Sequence, residues 1–276
     1  MSEPDSSVDL LDLYRLCAAA GEAAMKWYKT DNIAVETKGD FSPVTAADLE
    51  ANKVLIEGLP RLLPGVPIVS EEGASDSKEK IKIVMTADIY WLIDPLDGTR
   101  DFLAQTDDFT VNVALMVKGV PRVGCIVAPA RSMAFVADTM VGAFQVKEGA
   151  LSLPKLATRK IDPNHLIFLV SRSHLKGEDD LVKKNYPNAH IRRVGSALKY
   201  ALIAAGLADV SIRVSPTSLW DTAAAHCILI AAGGALLRAD GGSITYRTGR
   251  MLNPPFVALA DPAFDSVVLK QMLSNG

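Results

Sequence analysis

Tyr90-Trp91-Leu92-Ile93-Asp94-Pro95-Leu96-Asp97-Gly98-Thr99-Arg100-Asp101-Phe102-Leu103 joins an apolar run to two carboxylates, and its reading decides the fold. Tyr90 to Ile93 predicts a buried strand, because aromatic and β-branched residues dominate it and Pro95 cannot continue a ladder. Asp94 and Asp97 then stand together at a strand end. Carboxylates three residues apart repel one another unless a cation lies between them, and a hard divalent ion is the natural partner. Gly98 and Thr99 open a short helix whose free N–H groups and positive dipole end suit phosphate. Alone, Asp-x-x-Asp-Gly would read as a turn.

The surroundings favour a site. Upstream, Pro67-Ile68-Val69-Ser70 reads as a second strand ending in acids, Glu71-Glu72. Thr45-Ala46-Ala47-Asp48 reads as a helix N-cap with an acid three residues on, opening a helix to about Leu63. Asp48 can be that capping acid or a functional group. Ser6 or Ser7 caps an earlier packing helix to about Tyr28, and Ile33, Val35 and Thr37 alternate as a short strand. Lys38-Gly39-Asp40 makes a turn before Ser42-Pro43-Val44, and residues 73–89 read as a polar surface loop able to cover a site.

Downstream, Thr110 to Val117, Arg122 to Val127, Met133 to Ala137 and Ala143 to Val146 predict an antiparallel meander. Beyond Pro154 strand-like runs (166–170, 190–194, 209–213) alternate with helix-like ones (178–185, 196–205). Trp220-Asp221-Thr222-Ala223 begins a small-residue helix, and 235–237 and 256–259 follow as strands. These patterns predict an α/β (α+β) chain with one domain over 1–276, in two lobes of about 1–153 and 154–276.

With 276 residues, 49% hydrophobic and 22% charged, the chain is an ordinary globular one. A net charge of −3 gives no basic footprint for a nucleic-acid polymer, so local cations must meet any anionic substrate. Cys17, Cys125 and Cys227 are far apart in apolar stretches and read as buried thiols. No apolar run is long enough to span a membrane and no signal core precedes Asp9, which predicts a cytoplasmic location. The sequence leaves the oligomeric state open.

Ser70-Glu71-Glu72, Asp94-Pro95-Leu96-Asp97-Gly98-Thr99 and Trp220-Asp221-Thr222-Ala223-Ala224, with Asp48 upstream, resemble the signature of the inositol monophosphatase-like superfamily of metal-dependent phosphatases. Ser42 to Asp48, Ser171-Arg172-Ser173-His174 and Gly195-Ser196-Ala197-Leu198-Lys199 look like its CysQ-type branch, the 3'(2'),5'-bisphosphate nucleotidases. The resemblance implies a five-layer αβαβα sandwich and hydrolysis of adenosine 3',5'-bisphosphate to AMP and phosphate. It implies two or three Mg2+ ions held by Glu71, Asp94, the Leu96 carbonyl, Asp97 and Asp221, with Asp94 bridging. Glu71 and Thr99, the latter held by Asp48, would act on the attacking water. Asp97, Gly98, Thr99, Arg100, Ser196, Lys199, Arg213 and Asp221 would surround the substrate. Arg100 stands where the family usually carries Lys. The resemblance also implies sensitivity to lithium.

Arg100, Arg172, Lys199 and Arg213 are the candidates for a second phosphate, and each reads equally as a solvated surface cation. His174 and His226 read as structural histidines. The alternative activities are those of an inositol monophosphatase or a fructose-1,6-bisphosphatase. An inositol pocket would be expected to use an acid just before Trp220-Asp221, where residues 213–219 carry none. From a different class, an inactive nucleotide-binding sensor would lack one of the metal ligands or Thr99, and all are present.

Overall fold

The computed structural model describes residues 7–30, 35–37, 43–73, 77–172, 177–264 and 267–274. Ser6, Ile33, the Lys38-Gly39-Asp40 turn, Ser42 and Ser173-His174 lie outside the described residues.

Helix α1 spans Leu10–Met25, and its cap is Asp9 rather than Ser6 or Ser7: the Asp9 carboxylate accepts the amides of Leu11 and Asp12. The apolar period begins at Leu10, so a cap immediately before it satisfies donors that a cap at Ser6 or Ser7 could not reach. The helix also stops short of Tyr28, with turns over 26–29. Short strands β1 (Val35–Thr37) and β2 (Pro43–Thr45) pair antiparallel. Thr45 then caps α2 (Ala46–Leu62) in a complete capping box with Asp48.

Strand β3 (Ile68–Ser70) runs parallel to β4 (Ile89–Asp97), with Ser70 opposite Ile93. That register brings Glu71 and Asp94 to the same end of neighbouring strands. Between these strands lies α3 (Ser77–Thr86), where the sequence reading expected a loop. One side of it is anchored: Val84 is buried and Ile83 packs on the core. A second correction concerns Pro95, which does not end β4. Asp94 still pairs with Asn112 and Asp97 with Thr110, and the register shifts between them, so the proline sits in a bulge.

After the five-residue helix α4 (Thr99–Leu103) comes the predicted meander: β5 (Thr110–Val117), β6 (Val120–Ala128), β7 (Met133–Asp138), β8 (Gly142–Lys147) and the short β9 (Ala150–Leu151). Together β3 to β9 form one seven-stranded sheet. It is apolar on both faces. Trp91, Ile93, Val111, Val113 and Leu115 pack with α1 and α2, whereas Tyr90, Leu92, Ala114 and Met116 pack with helices from the second half. Double burial explains why Tyr90 to Ile93 reads as a continuous apolar run.

The second half supplies β10 (Ile167–Val170), α5 (Glu178–Asn185), β11 (His190–Arg193), α6 (Leu198–Ala204), β12 (Val210–Arg213), β13 (Thr217–Ser218), α7 (Trp220–Ala231), β14 (Ala235–Arg238), β15 (Leu252–Asn253), β16 (Phe256–Leu259) and α8 (Val267–Ser274). Strands order as β11-β10-β12-β16-β14 in a five-stranded sheet. Helix α6 starts two residues later than expected because Ser196 is left-handed, at φ +49, and cannot belong to the helix. Helix α8 was not anticipated, although its Leu269, Met272 and Leu273 fall on one face and are buried.

The layers are α1 and α2, the seven-stranded sheet, α6 and α7, the five-stranded sheet, then α5 and α8. This is the αβαβα sandwich that the motifs implied. Helix α7 lies against β6 so closely that a Cβ at Gly124 would come within 2.7 Å of the Ala224 carbonyl. Among the described residues, no helix is long and apolar enough to cross a membrane.

Candidate active site

The ends of β3 and β4 and the first turn of α7 meet at one cleft between the two sheets. Carboxylate oxygens of Glu71, Asp94 and Asp221 all lie within 4.8 Å of one another. Each is placed by backbone: Glu71 N–H donates to the Ile93 carbonyl at 3.1 Å, Leu96 N–H to Asp94 at 3.1 Å, and Ser218 N–H to Asp221 at 2.8 Å. Asp94 is 1% exposed. Burial raises its pKa well above the carboxylate range, and the neighbouring charges of Glu71, Asp97 and Asp221 raise it further. Asp221 is raised by burial, then by Asp97 and Glu71. An all-oxygen set under this much mutual repulsion fits a hard divalent cation, and no Cys or His stands in it to favour zinc.

Asp97 lines the cleft but stands outside that group of three. Its Oδ2 accepts the Ala197 amide at 2.6 Å and the Asn112 side chain at 3.1 Å. Burial raises its pKa while Lys199 pulls it down. Asp48 serves two elements at once. One oxygen accepts the Thr45 amide and hydroxyl at 2.8 and 2.7 Å, closing the capping box, and the other accepts the Thr99 hydroxyl at 3.1 Å. The capping and functional readings of Asp48 are therefore compatible. Thr99 also approaches the Leu96 carbonyl, at 3.4 Å.

The cleft has a volume of about 440 Å³. Leu96, Gly98, Thr99 and Arg100 line it from the seven-stranded sheet and α4, with Ser171, Ser196, Lys199, Tyr200 and Arg213 opposite. Lys199 is buried and donates to the Ser196 carbonyl at 2.7 Å; burial and then Arg213 push its pKa down. Arg213, also buried, pairs with Glu178 at 3.3 Å. Arg172 is not part of the lining: its guanidinium bonds Asp108 at 2.8 and 2.9 Å. His226 is structural, as expected, with Nδ1 3.2 Å from the Tyr246 hydroxyl and a pKa pushed down by burial to about 4. His174 lies outside the described residues. The three cysteines are free and buried.

Sequence reading missed Lys80. From α3 its ammonium donates to the Glu71 carbonyl at 3.0 Å and sits 5.3 Å from the centre of the Trp220 ring. It thereby touches two of the three segments that carry the clustered acids, those of Glu71 and Asp221. The missed signal was the helical spacing of Lys80 and Val84 in a stretch read as loop. Asn112 was missed too, although a lone amide in an apolar strand needs a partner.

Residues 7–271 match the model of the inositol monophosphatase family. A 3'(2'),5'-bisphosphate nucleotidase CysQ of Escherichia coli K12 is 35% identical over 248 residues, covering 88% of this chain and 96% of the relative. The same-named protein of Buchnera aphidicola is 36% identical over 241 residues, covering 84% of this chain and 85% of the relative. Among solved structures, CysQ of Bacteroides thetaiotaomicron matches with a TM-score of 0.76 and 31% identity, over 90% of this chain and 96% of that one. The Thermotoga maritima IMPase shares the fold at a TM-score of 0.79 and 24% identity, over 96% of this chain and 98% of that one. Sequence coverage, shared fold and the acids gathered at the cleft agree: the chain belongs to the inositol monophosphatase family.

Proposed function

We propose that the protein is a Mg2+-dependent phosphomonoesterase that hydrolyses adenosine 3',5'-bisphosphate to AMP and phosphate. The carrying observation is one cleft with the converging carboxylates of Glu71, Asp94 and Asp221 at one side and the buried cations Lys199 and Arg213 at the other. The names of the curated relatives support the same substrate.

Glu71, Asp94, the Leu96 carbonyl, Asp97 and Asp221 would hold two or three Mg2+ ions. Bound there, the ions supply a water activated at neutral pH and stabilise the leaving oxygen. The Thr99 hydroxyl donates its hydrogen bond to Asp48, so its lone pairs stay free to accept a hydrogen bond from the attacking water and orient it. Glu71 is the second acceptor on that water. Gly98 and Thr99 amides receive the scissile phosphate, while Arg100, Ser196, Lys199 and Arg213 receive the other one. On this reading, lobe 1 (about 1–153) supplies the metal site and lobe 2 (about 154–276) recognises the nucleotide. Free buried thiols suit the reducing cytoplasm as its place of action.

Phosphate release from adenosine 3',5'-bisphosphate, its 2',5' isomer, its sulphated relative, inositol 1-phosphate and fructose 1,6-bisphosphate tests the reading. The expected result is the highest kcat/KM for an adenosine bisphosphate, lost on chelation with EDTA and restored by Mg2+. Preference for inositol 1-phosphate or fructose 1,6-bisphosphate would overturn the substrate, and full activity in EDTA would overturn the metal.

A further inference from the structure

Asp108 lies two residues before β5 and is fully buried, yet it does not line the cleft. Its Oδ2 accepts Arg172 Nε at 2.9 Å and Nη2 at 2.8 Å, together with the Gly195 amide at 3.1 Å. Arg131 pairs with its other oxygen. Asp101, also buried, adds a carboxylate 3.9 Å from Arg172. The turn at 195–197 rests directly on these acids: a Cβ at Gly195 would lie 2.7 Å from the Asp101 carboxylate and 2.8 Å from the Asp108 Cβ.

The same turn reaches the cleft at three points. Ala197 N–H donates to Asp97 at 2.6 Å, and the Ser196 carbonyl accepts Lys199 Nζ at 2.7 Å. Gly98 lies below, where a Cβ would come within 3.4 Å of the Ser196 Cβ. Ser196 takes a left-handed φ of +49, a conformation that a non-glycine residue keeps only when its surroundings impose it. The bond from Gly195 to Asp108 is the adjacent restraint.

We propose that Asp108 is a positioning residue of the cleft. Through the 195–197 turn it fixes which Asp97 oxygen is occupied by protein and which is left for a metal ion, and it holds Lys199 toward the second phosphate. One buried carboxylate thus couples metal affinity to recognition of the bisphosphate. The inference rests on the metal and substrate assignment given above.

The test is Asp108→Asn, with Asp138→Asn as a matched control. Asp138 is a buried acid paired with Arg122 between β6 and β7. Mg2+ binding is measured by calorimetry without substrate, and KM is measured for adenosine 3',5'-bisphosphate and for adenosine 3'-monophosphate. Asp108→Asn is expected to weaken Mg2+ several-fold, less than the roughly tenfold or more lost with a group bonded directly to a metal ligand, because it acts through the turn. It should also raise KM for the bisphosphate more than for the monophosphate, whereas Asp138→Asn lowers Tm alone. Unchanged Mg2+ affinity and KM in Asp108→Asn, or equal shifts in both variants, overturns the proposal. If Asp108→Asn does not fold, Gly195→Ala displaces the turn with Asp108 intact; it should give the same two shifts, and their absence overturns the proposal equally. Wild-type protein that binds Mg2+ but cleaves no bisphosphate would defeat the substrate reading, while weaker Mg2+ binding in Asp108→Asn would still uphold the positioning role.

Discussion

Asp94 in β4 and Asp108 just before the neighbouring β5 are equally buried and keep opposite company. After burial, the strongest influences on Asp94 are the carboxylates of Glu71, Asp97 and Asp221. Asp108 meets the guanidinium groups of Arg172 and Arg131 and a backbone amide. A buried charge is tolerated when the protein pairs it, and a carboxylate packed among carboxylates persists only as a place for an external cation or by taking up a proton. The difference therefore separates a carboxylate paired inside the protein from one whose neighbours could hold a cation, although both are buried Asp on adjacent stretches of chain.

The sharpest way to break this comparison is Asp94→Asn. It should leave less than about a tenth of wild-type turnover, because on the proposed metal assignment the loss of this carboxylate would cost several kcal/mol. The metal-free protein should meanwhile be no less stable. In sign, the folded pKa of Asp94 lies above its unfolded value, so its ionisation opposes folding increasingly as pH rises past the unfolded carboxylate pKa. Asn removes that penalty, and metal-free Asp94→Asn should match or exceed wild type in Tm at pH 8. A clear loss of Tm there would place Asp94 with Asp108 as a paired structural acid.

A smaller effect is expected at the cationic end. Arg213→Gln should raise KM for adenosine 3',5'-bisphosphate by about ten- to hundredfold, from the roughly 1.5 to 3 kcal/mol of a charge-assisted bond. KM for adenosine 3'-monophosphate should move far less. Equal shifts for both substrates would remove Arg213 from the second-phosphate site.

His226 offers the mildest case, a buried titratable group facing a hydroxyl rather than a charge. Its pKa falls from 6.5 to about 4, so the unfolded chain takes up a proton that the fold excludes. Its contribution to stability is present above pH 6.5 and is lost as pH falls toward 4, on the order of 3 kcal/mol in total. Urea midpoints between pH 7 and 4 should fall less steeply in His226→Gln, and parallel curves would show that His226 is charged in the fold. The metal-free carboxylate cluster works in the opposite direction over this range, so the comparison is cleanest in the Asp94→Asn background.

The sequence carried the strand before Glu71, the 90–93 part of β4, the capping box at Thr45 and Asp48, the meander and the motif acids, because periodicity and local chemistry dictate each of them. It misread 77–86 as loop because polar residues outnumber apolar ones in that helix, and its one buried stripe has meaning only beside a core. It ended β4 at Pro95 because a local rule forbids a ladder bond, whereas β5 absorbs the proline in a bulge. What lay beyond sequence was company. Residues 71, 94 and 221 are brought together by parallel register and by α7 packing across the sheet, and no local pattern reports that distance. Arg172 and Arg213 both follow strand-like runs, yet one closes on Asp108 away from the cleft and the other, though paired with Glu178, still lines it. Sequence thus determined which elements form and which acids end them. Only the tertiary structure decided which charges are neutralised inside the protein and which are left for a ligand, because Coulomb interactions depend on separation in space and on burial, neither of which is local in the chain.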